Sequence, residues 1–176
     1  LPELLASARS GDIVSAEKEA DTLQSLHEQL VNIKDEYKAK QVLIQIKASQ
    51  AWISMAKGNT RQAIAYMAEA TDMEENTAKP PVTPGEVLPA RELLGDLFLE
   101  MDKPQEALEC YEIDLKLHPN RFNGIYGAAI AAKQSGNREM ARKYFEKLVK
   151  LAENSNNDRP EIIEAKAFLG RNKIAT

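Results

Sequence analysis

A chain of 176 residues, 43% hydrophobic and 28% charged, has the length and composition of one globular domain or one repeat array. Its net charge of −4, with both signs interspersed, offers no basic stripe for nucleic acid and no polybasic segment for a membrane surface. The single cysteine, Cys110, excludes an intramolecular disulfide and any multi-cysteine metal site, and no run is long and apolar enough to span a bilayer.

The chain opens on Leu1-Pro2-Glu3, with no start methionine and no basic-then-apolar leader, which reads as a processed or excised piece of something longer. "LPELLASAR" forms a reduced first helix and "SGDIVSAEKEADTLQSL" a second, with Gly11 at the turn, so residues 1–32 make a partial repeat. "VNIKDEYKAKQVL" contains neither Pro nor Gly, and long paired helices over roughly 12–32 and 36–57 absorb it. A longer hairpin then covers 36–77, turning at Gly58.

Four of the eight prolines fall in "PPVTPGEVLP", and residues 78–87 read as an inter-repeat insertion. Its prolines preset an extended path and stop the helix that carries Glu75, with Pro84-Gly85 as a turn pair. Such an excursion either braces adjacent hairpins, with Val82 and Val87 buried, or shapes the rim of a binding surface.

From Leu88 a unit closes at 121, and a second, starting at Phe122, runs to 155 with a period of 34 residues. Small residues Gly95 and Ala129 align at the eighth place, Ala107 and Ala141 at the twentieth, and bulky Tyr111 and Phe145 at the twenty-fourth. Antiparallel helices approach closely only over small side chains, and the large apolar places fill the space beside them. Extended backwards from Ile44, the register places Ala51, Gly58, Ala63 and Met67 in equivalent positions. Residues 159–173 form a last helix, with Pro160 in its first turn and Ala165 and Phe168 facing inward, that caps the final apolar face. The alanines at the twentieth place, Ala16, Ala63, Ala107 and Ala141, are spaced by 47, 44 and 34 residues; the excess of 10 in the second spacing is the proline-rich insertion.

Length, small positions, aromatic positions and the terminal Pro119 together resemble the tetratricopeptide repeat, a helix-turn-helix unit. The resemblance implies an all-α fold, a right-handed solenoid of stacked antiparallel hairpins with about seven or eight helices, as a single array over 1–176. It also implies a concave face lined by the second, fifth, ninth, twelfth and thirteenth places of each unit. In the Ile44 unit these include Gln45, Trp52 and Met55, and in the Leu88 unit Glu92, Asp96, Leu99 and Glu100. The Phe122 unit contributes Asn123, Tyr126, Ile130, Lys133 and Gln134. Trp52, Met55 and Tyr126 have the character of binding anchors. For Trp52 two readings stand side by side, a groove anchor or a ring packed against the neighbouring repeat. Chaperone-binding members hold a peptide's terminal carboxylate with Lys and Asn on the first unit and Lys and Arg later; here the matching places carry Ala48 and Trp52, then Glu92 and Asp96, so that clamp is missing and the middle of the groove favours a basic segment.

Nothing in the sequence assembles a catalytic constellation. His27 and His118 lie on different predicted helices, and His27-Glu28 is not followed by a second His at zinc-protease spacing. No phosphate loop or nucleophile elbow occurs, and Glu109 and Glu112 flank Cys110 where a reactive thiol needs positive charge. No catalytic residue, metal or cofactor is expected.

The motifs "VTPGEVLPARELLGD" and "PNRFNGIYGAA", with "ASARSGD" and "AKGN" before them, resemble the C-terminal region of a bacterial tetratricopeptide-repeat family of unassigned function. That resemblance implies further repeats upstream and favours export to the periplasm, with a cytoplasmic location as the alternative. The functional expectation is a non-enzymatic scaffold that holds a peptide or helix of a protein partner in its groove, without nucleic acid and without membrane insertion. The alternative is a structural or homo-oligomerising region of a larger exported protein, with no ligand of its own.

Overall fold

The computed structural model describes residues 1–78, 88–153 and 159–171. Val82, Val87 and the Pro84-Gly85 pair lie outside the described residues, and with them the expectations placed on the proline-rich segment. Among the described residues there are nine α-helices and no strand. The chain divides into two compact units, Leu1–Leu94 and Gly95–Thr176.

In the first unit α1 (Pro2–Ser10) packs on α2 (Ile13–Asn32) and α3 (Glu36–Ala56), and α3 packs on α4 (Thr60–Glu75). Pro2 sits in the first turn of α1, where its missing N–H costs nothing, and Gly11 ends the helix at φ 83°. The short N-terminal segment is a nine-residue helix that buries Leu4, Leu5 and Ala8, and with it the described residues hold nine helices rather than seven or eight. Asp12 and Asp35 cap α2 and α3 by accepting the N–H groups of Ser15 and Lys38, each at 3.1 Å. The Ser15 side chain and then its N–H hold the Asp12 carboxyl below the usual carboxylate range, and the hydrogen bond from the Lys38 ammonium, followed by the Lys38 N–H, does the same for Asp35. The chain's extra length here is taken up by α2 and α3, of 20 and 21 residues. Ala16, Ala51, Ala63 and Met67 are fully buried, as close helix approach requires. α5 (Ala90–Glu100) starts in this unit, where its Ala90 N–H donates to Glu74 Oε1 at 3.0 Å and Arg91 pairs with Glu75.

In the second unit α6 (Pro104–Leu117) and α8 (Arg138–Leu151) both pack on α7 (Phe122–Gln134), and α9 (Pro160–Arg171) packs on α8. α7 is the central helix: Gly124, Ile125, Gly127, Ala128, Ala129, Ala131 and Ala132 are all buried. Six of those seven are Gly or Ala, which lets neighbouring helices come close on several sides. Tyr111 and Phe145, the large residues of the two units, are fully buried, and Phe145 meets Phe168 of α9 with ring centroids 4.9 Å apart. Asn137 caps α8 after the Gly136 turn, its side chain accepting the Met140 N–H at 3.2 Å. Cys110 is a packed core residue.

Candidate interaction surface

In the second unit, α7 carries a polar face. Asn123, Lys133 and Gln134 are exposed there, and Tyr126 and Ile130 are half-buried between them. Their spacing of three, four or seven residues puts them on one side of the helix, opposite the alanines that face the core. Glu164 of α9 links two of them. Its Oε2 accepts the Tyr126 hydroxyl at 2.7 Å and its Oε1 accepts the Lys133 ammonium at 2.7 Å. Burial, and then the hydrogen bond to the Glu164 carboxylate, raises the Tyr126 hydroxyl well above its ordinary pKa. Burial pushes the Glu164 carboxyl up, but the bonds from Lys133 and Tyr126 and the Lys133 charge outweigh it and leave the carboxyl below its ordinary value.

Beside this link, Arg159 lies over the ring of Phe122 at 3.9 Å and its guanidinium pairs with Glu161 at 3.2 Å. The network fixes Tyr126 and Lys133 in place, while the amides of Asn123 and Gln134 remain open to solvent. Neither Glu164 nor Arg159 was found by sequence reasoning, which used α9 only as an apolar cap. The opposite charges of Lys133 and Glu164, 31 residues apart, are the one trace of the contact in the sequence.

The part of α5 in this unit contributes Asp96, Leu99 and Glu100. Asp96 accepts the Tyr111 hydroxyl at 2.6 Å, Leu99 packs against the core, and Glu100 is exposed. In the first unit, Gln45 and Met55 are half-buried on α3.

Two expected groove residues are enclosed. Trp52 is 2% exposed, with the guanidinium of Arg9 over its ring at 4.2 Å. The helix α1 is long enough to lay Arg9 across the indole, so the packed reading of Trp52 holds and its ring is not an anchor open to a ligand. Glu92 is also 2% exposed, within a run of four consecutive buried residues from Glu92 to Gly95. Glu92 is thus closed to a basic ligand, and Asp96, half-buried, is engaged by the Tyr111 hydroxyl.

His118 stands at the C-terminal end of α6, its Nδ1 at 2.9 Å from Oδ1 of the buried Asp114, and His27 is half-buried on α2. Among the described residues no group of three or more His, Cys, Asp and Glu side chains is placed to hold a metal, and no helix is long and apolar enough to cross a membrane.

Residues 124–155 match the family model of the tetratricopeptide repeat. No curated protein matches the chain. Among solved structures, the chain is similar to a Podosopora anserina protein described as a kinesin light chain with nearly identical tetratricopeptide-like repeats. The TM-score is 0.62 at 17% identity, over 97% of this chain and 84% of that one. It is also similar to the MamA protein, with a TM-score of 0.55 at 16% identity, over 91% of this chain and the whole of the other. A MamA RS-1 double mutant gives 0.53 at 12% identity, over 89% and 95%.

Proposed function

We propose, from the premise that residues 124–155 are a tetratricopeptide repeat in a chain of tetratricopeptide-like fold, that the protein is an interaction scaffold holding a partner's extended segment on the α7 face of its second unit. Repeats of this kind are in general scaffolds rather than catalysts. The observation that carries the reading is the strip Asn123, Tyr126, Lys133 and Gln134. Its aromatic and ammonium groups are pre-set by Glu164, and its two amides are exposed. Each amide offers a donor pair and an acceptor, the set an extended peptide backbone needs, and a Tyr already held in one rotamer loses little entropy on binding.

The test is a peptide array probed with the full chain and with an Asn123→Ala/Gln134→Ala double variant. Both residues are exposed, so the fold survives their loss. Peptides captured by the wild type should bind the variant at least about fivefold more weakly, the sum of two exposed hydrogen-bonding groups. Equal capture by the two proteins rejects the α7 face as the binding surface.

A second reading is favoured by Leu117, Leu151 and Ile163, which are 65%, 41% and 58% exposed in this unit. In that reading the apolar side chains pack against another copy of the chain, and the segment has no ligand of its own. Light scattering across a hundredfold dilution separates the two: a constant monomer mass removes the second.

A further inference from the structure

The first unit holds an open groove that the α7 face does not share. The end of α2, the turn after it, the start of α3 and the last turns of α4 enclose about 430 Å³, the scale of a ligand-sized cleft. Its floor is apolar: Val31 is 53% exposed, Ala39 is buried, and Leu43 and Met73 are half-buried. Ile33, on the same turn as Val31, is 70% exposed. Among the described residues the rim carries Lys34, Lys40 and His27 against the carboxylate of Glu36.

The lysines of the rim differ from their neighbours. Lys38 pairs with Asp35, Lys47 with Glu69 and Lys57 with Glu17, at 2.8, 2.7 and 2.6 Å. Neither Lys34 nor Lys40 makes an ion pair among the described residues. Lys34 also stands in the left-handed region, at φ 60°, where three other helix-to-helix turns of the chain use Gly11, Gly58 and Gly136. A side chain is disfavoured there, so the turn keeps an ammonium group at a conformational cost that glycine would avoid. An unpaired positive rim around an exposed apolar floor is complementary to a segment with the opposite charge and its own apolar residue.

We propose that this groove docks an acidic segment of a partner protein, with one large aliphatic or aromatic side chain on Val31, Leu43 and Met73 and flanking carboxylates beside Lys34 and Lys40. The apolar contact supplies the affinity, and the two lysines select the sign of the partner and speed its approach. The site is independent of the α7 face, so either can fail alone.

The experiment uses the full chain and two fluorescein-labelled peptides of about a dozen residues, one with Phe and Leu among Asp and Glu, the other with Lys in place of every acid. Fluorescence anisotropy should show saturable binding of the acidic peptide only. Lys34→Gly combined with Lys40→Gln should weaken it at least about tenfold, and Tyr126→Ala should leave it unchanged. Because glycine suits the left-handed turn, that double variant keeps its thermal midpoint, and lost binding cannot be ascribed to unfolding. Equal binding of both peptides, no binding of the acidic one, or full affinity in the lysine variant overturns the proposal. So does a concentration-dependent dimer, lost on Val31→Ser, in a chain that takes up neither peptide, since the occupant is then a second copy.

Discussion

The ring of Tyr111 occupies the space into which a side chain on Gly127 would point: a Cβ built there falls 2.4 Å from Cζ and 2.5 Å from Cε1. Gly95 faces the same ring, with its Cβ position 2.9 Å away. One tyrosine is thus closed in by two glycines from different helices, and its hydroxyl leaves the apolar contact to reach Asp96.

Gly127→Ala should therefore destabilise the protein, although alanine is the better helix former by about 1 kcal/mol. Overpacking of about 1–3 kcal/mol outweighs that gain, because the clash is with a ring fixed at both ends rather than with a flexible tip. Gly170→Ala in α9 is the control: no described atom lies within 4 Å of its Cβ position, and it should be neutral or stabilising by up to about 1 kcal/mol. Urea midpoints of the two variants should move in opposite directions, and a stabilised Gly127→Ala would show that the ring does not sit there in solution.

Trp52 is the only tryptophan, so its emission reports on the first unit. Burial at 2% exposure under Arg9 predicts blue-shifted emission that resists acrylamide quenching until the unit unfolds. Trp52→Ala should cost about 3–5 kcal/mol. Trp52→Phe should cost far less, because the indole N–H has no hydrogen-bond partner among the described residues and its loss removes a desolvation penalty of about 1–3 kcal/mol. A readily quenched native tryptophan would contradict the packed position.

The repeat register was legible because it depends on steric exclusion at fixed intervals. Ala16, Ala63, Ala107 and Ala141 are all fully buried, as are Met67, Tyr111 and Phe145 at the large positions. The surface was less legible, since the same helical place can face solvent or lie beneath a neighbouring helix. Trp52 occupies the ninth place, as Asp96 and Ile130 do, yet a nine-residue α1 puts Arg9 over it. That short opening segment has too few residues for a periodic signal, and only the Pro2 start and Gly11 end mark it. Glu164 was missed for a different reason: a contact across 38 residues between two polar side chains has no periodic trace.

The Tyr126–Glu164–Lys133 link predicts a pH dependence on each side. The Glu164 carboxyl lies below its ordinary value of 4.5 in the folded chain, so its stabilisation is complete above that pH and fades as the pH falls through the folded pKa. The Tyr126 hydroxyl lies above its ordinary 10.0, so its contribution is intact below pH 10 and is lost as the pH rises further. Glu164→Gln should cost about 0.5–1.5 kcal/mol at pH 7, a half-exposed charged pair with a second hydrogen bond. The gap from wild type should shrink as the pH falls below 4.5 and through the folded pKa, where the carboxyl takes up its proton in the folded chain too. A gap that is constant with pH would mean that packing, not charge, holds Glu164.

Across the join between α4 and α5, the Ala90 N–H donates to Glu74 Oε1 at 3.0 Å, and Arg91 pairs with Glu75. The first N–H groups of a helix have no partner inside it, and a carboxylate both accepts one and interacts favourably with the helix dipole. Glu74→Ala should therefore cost about 0.5–2 kcal/mol, the range for a lost N-terminal cap. Glu74→Gln keeps an acceptor and should cost only the dipole contribution, about 0.3–1 kcal/mol. Arg91→Ala removes a largely surface ion pair worth about 0–1 kcal/mol. Amide hydrogen exchange locates the effect: the Ala90 amide should lose protection in Glu74→Ala and largely keep it in Glu74→Gln. Unchanged exchange at Ala90 in both variants would show that α5 begins without this cap.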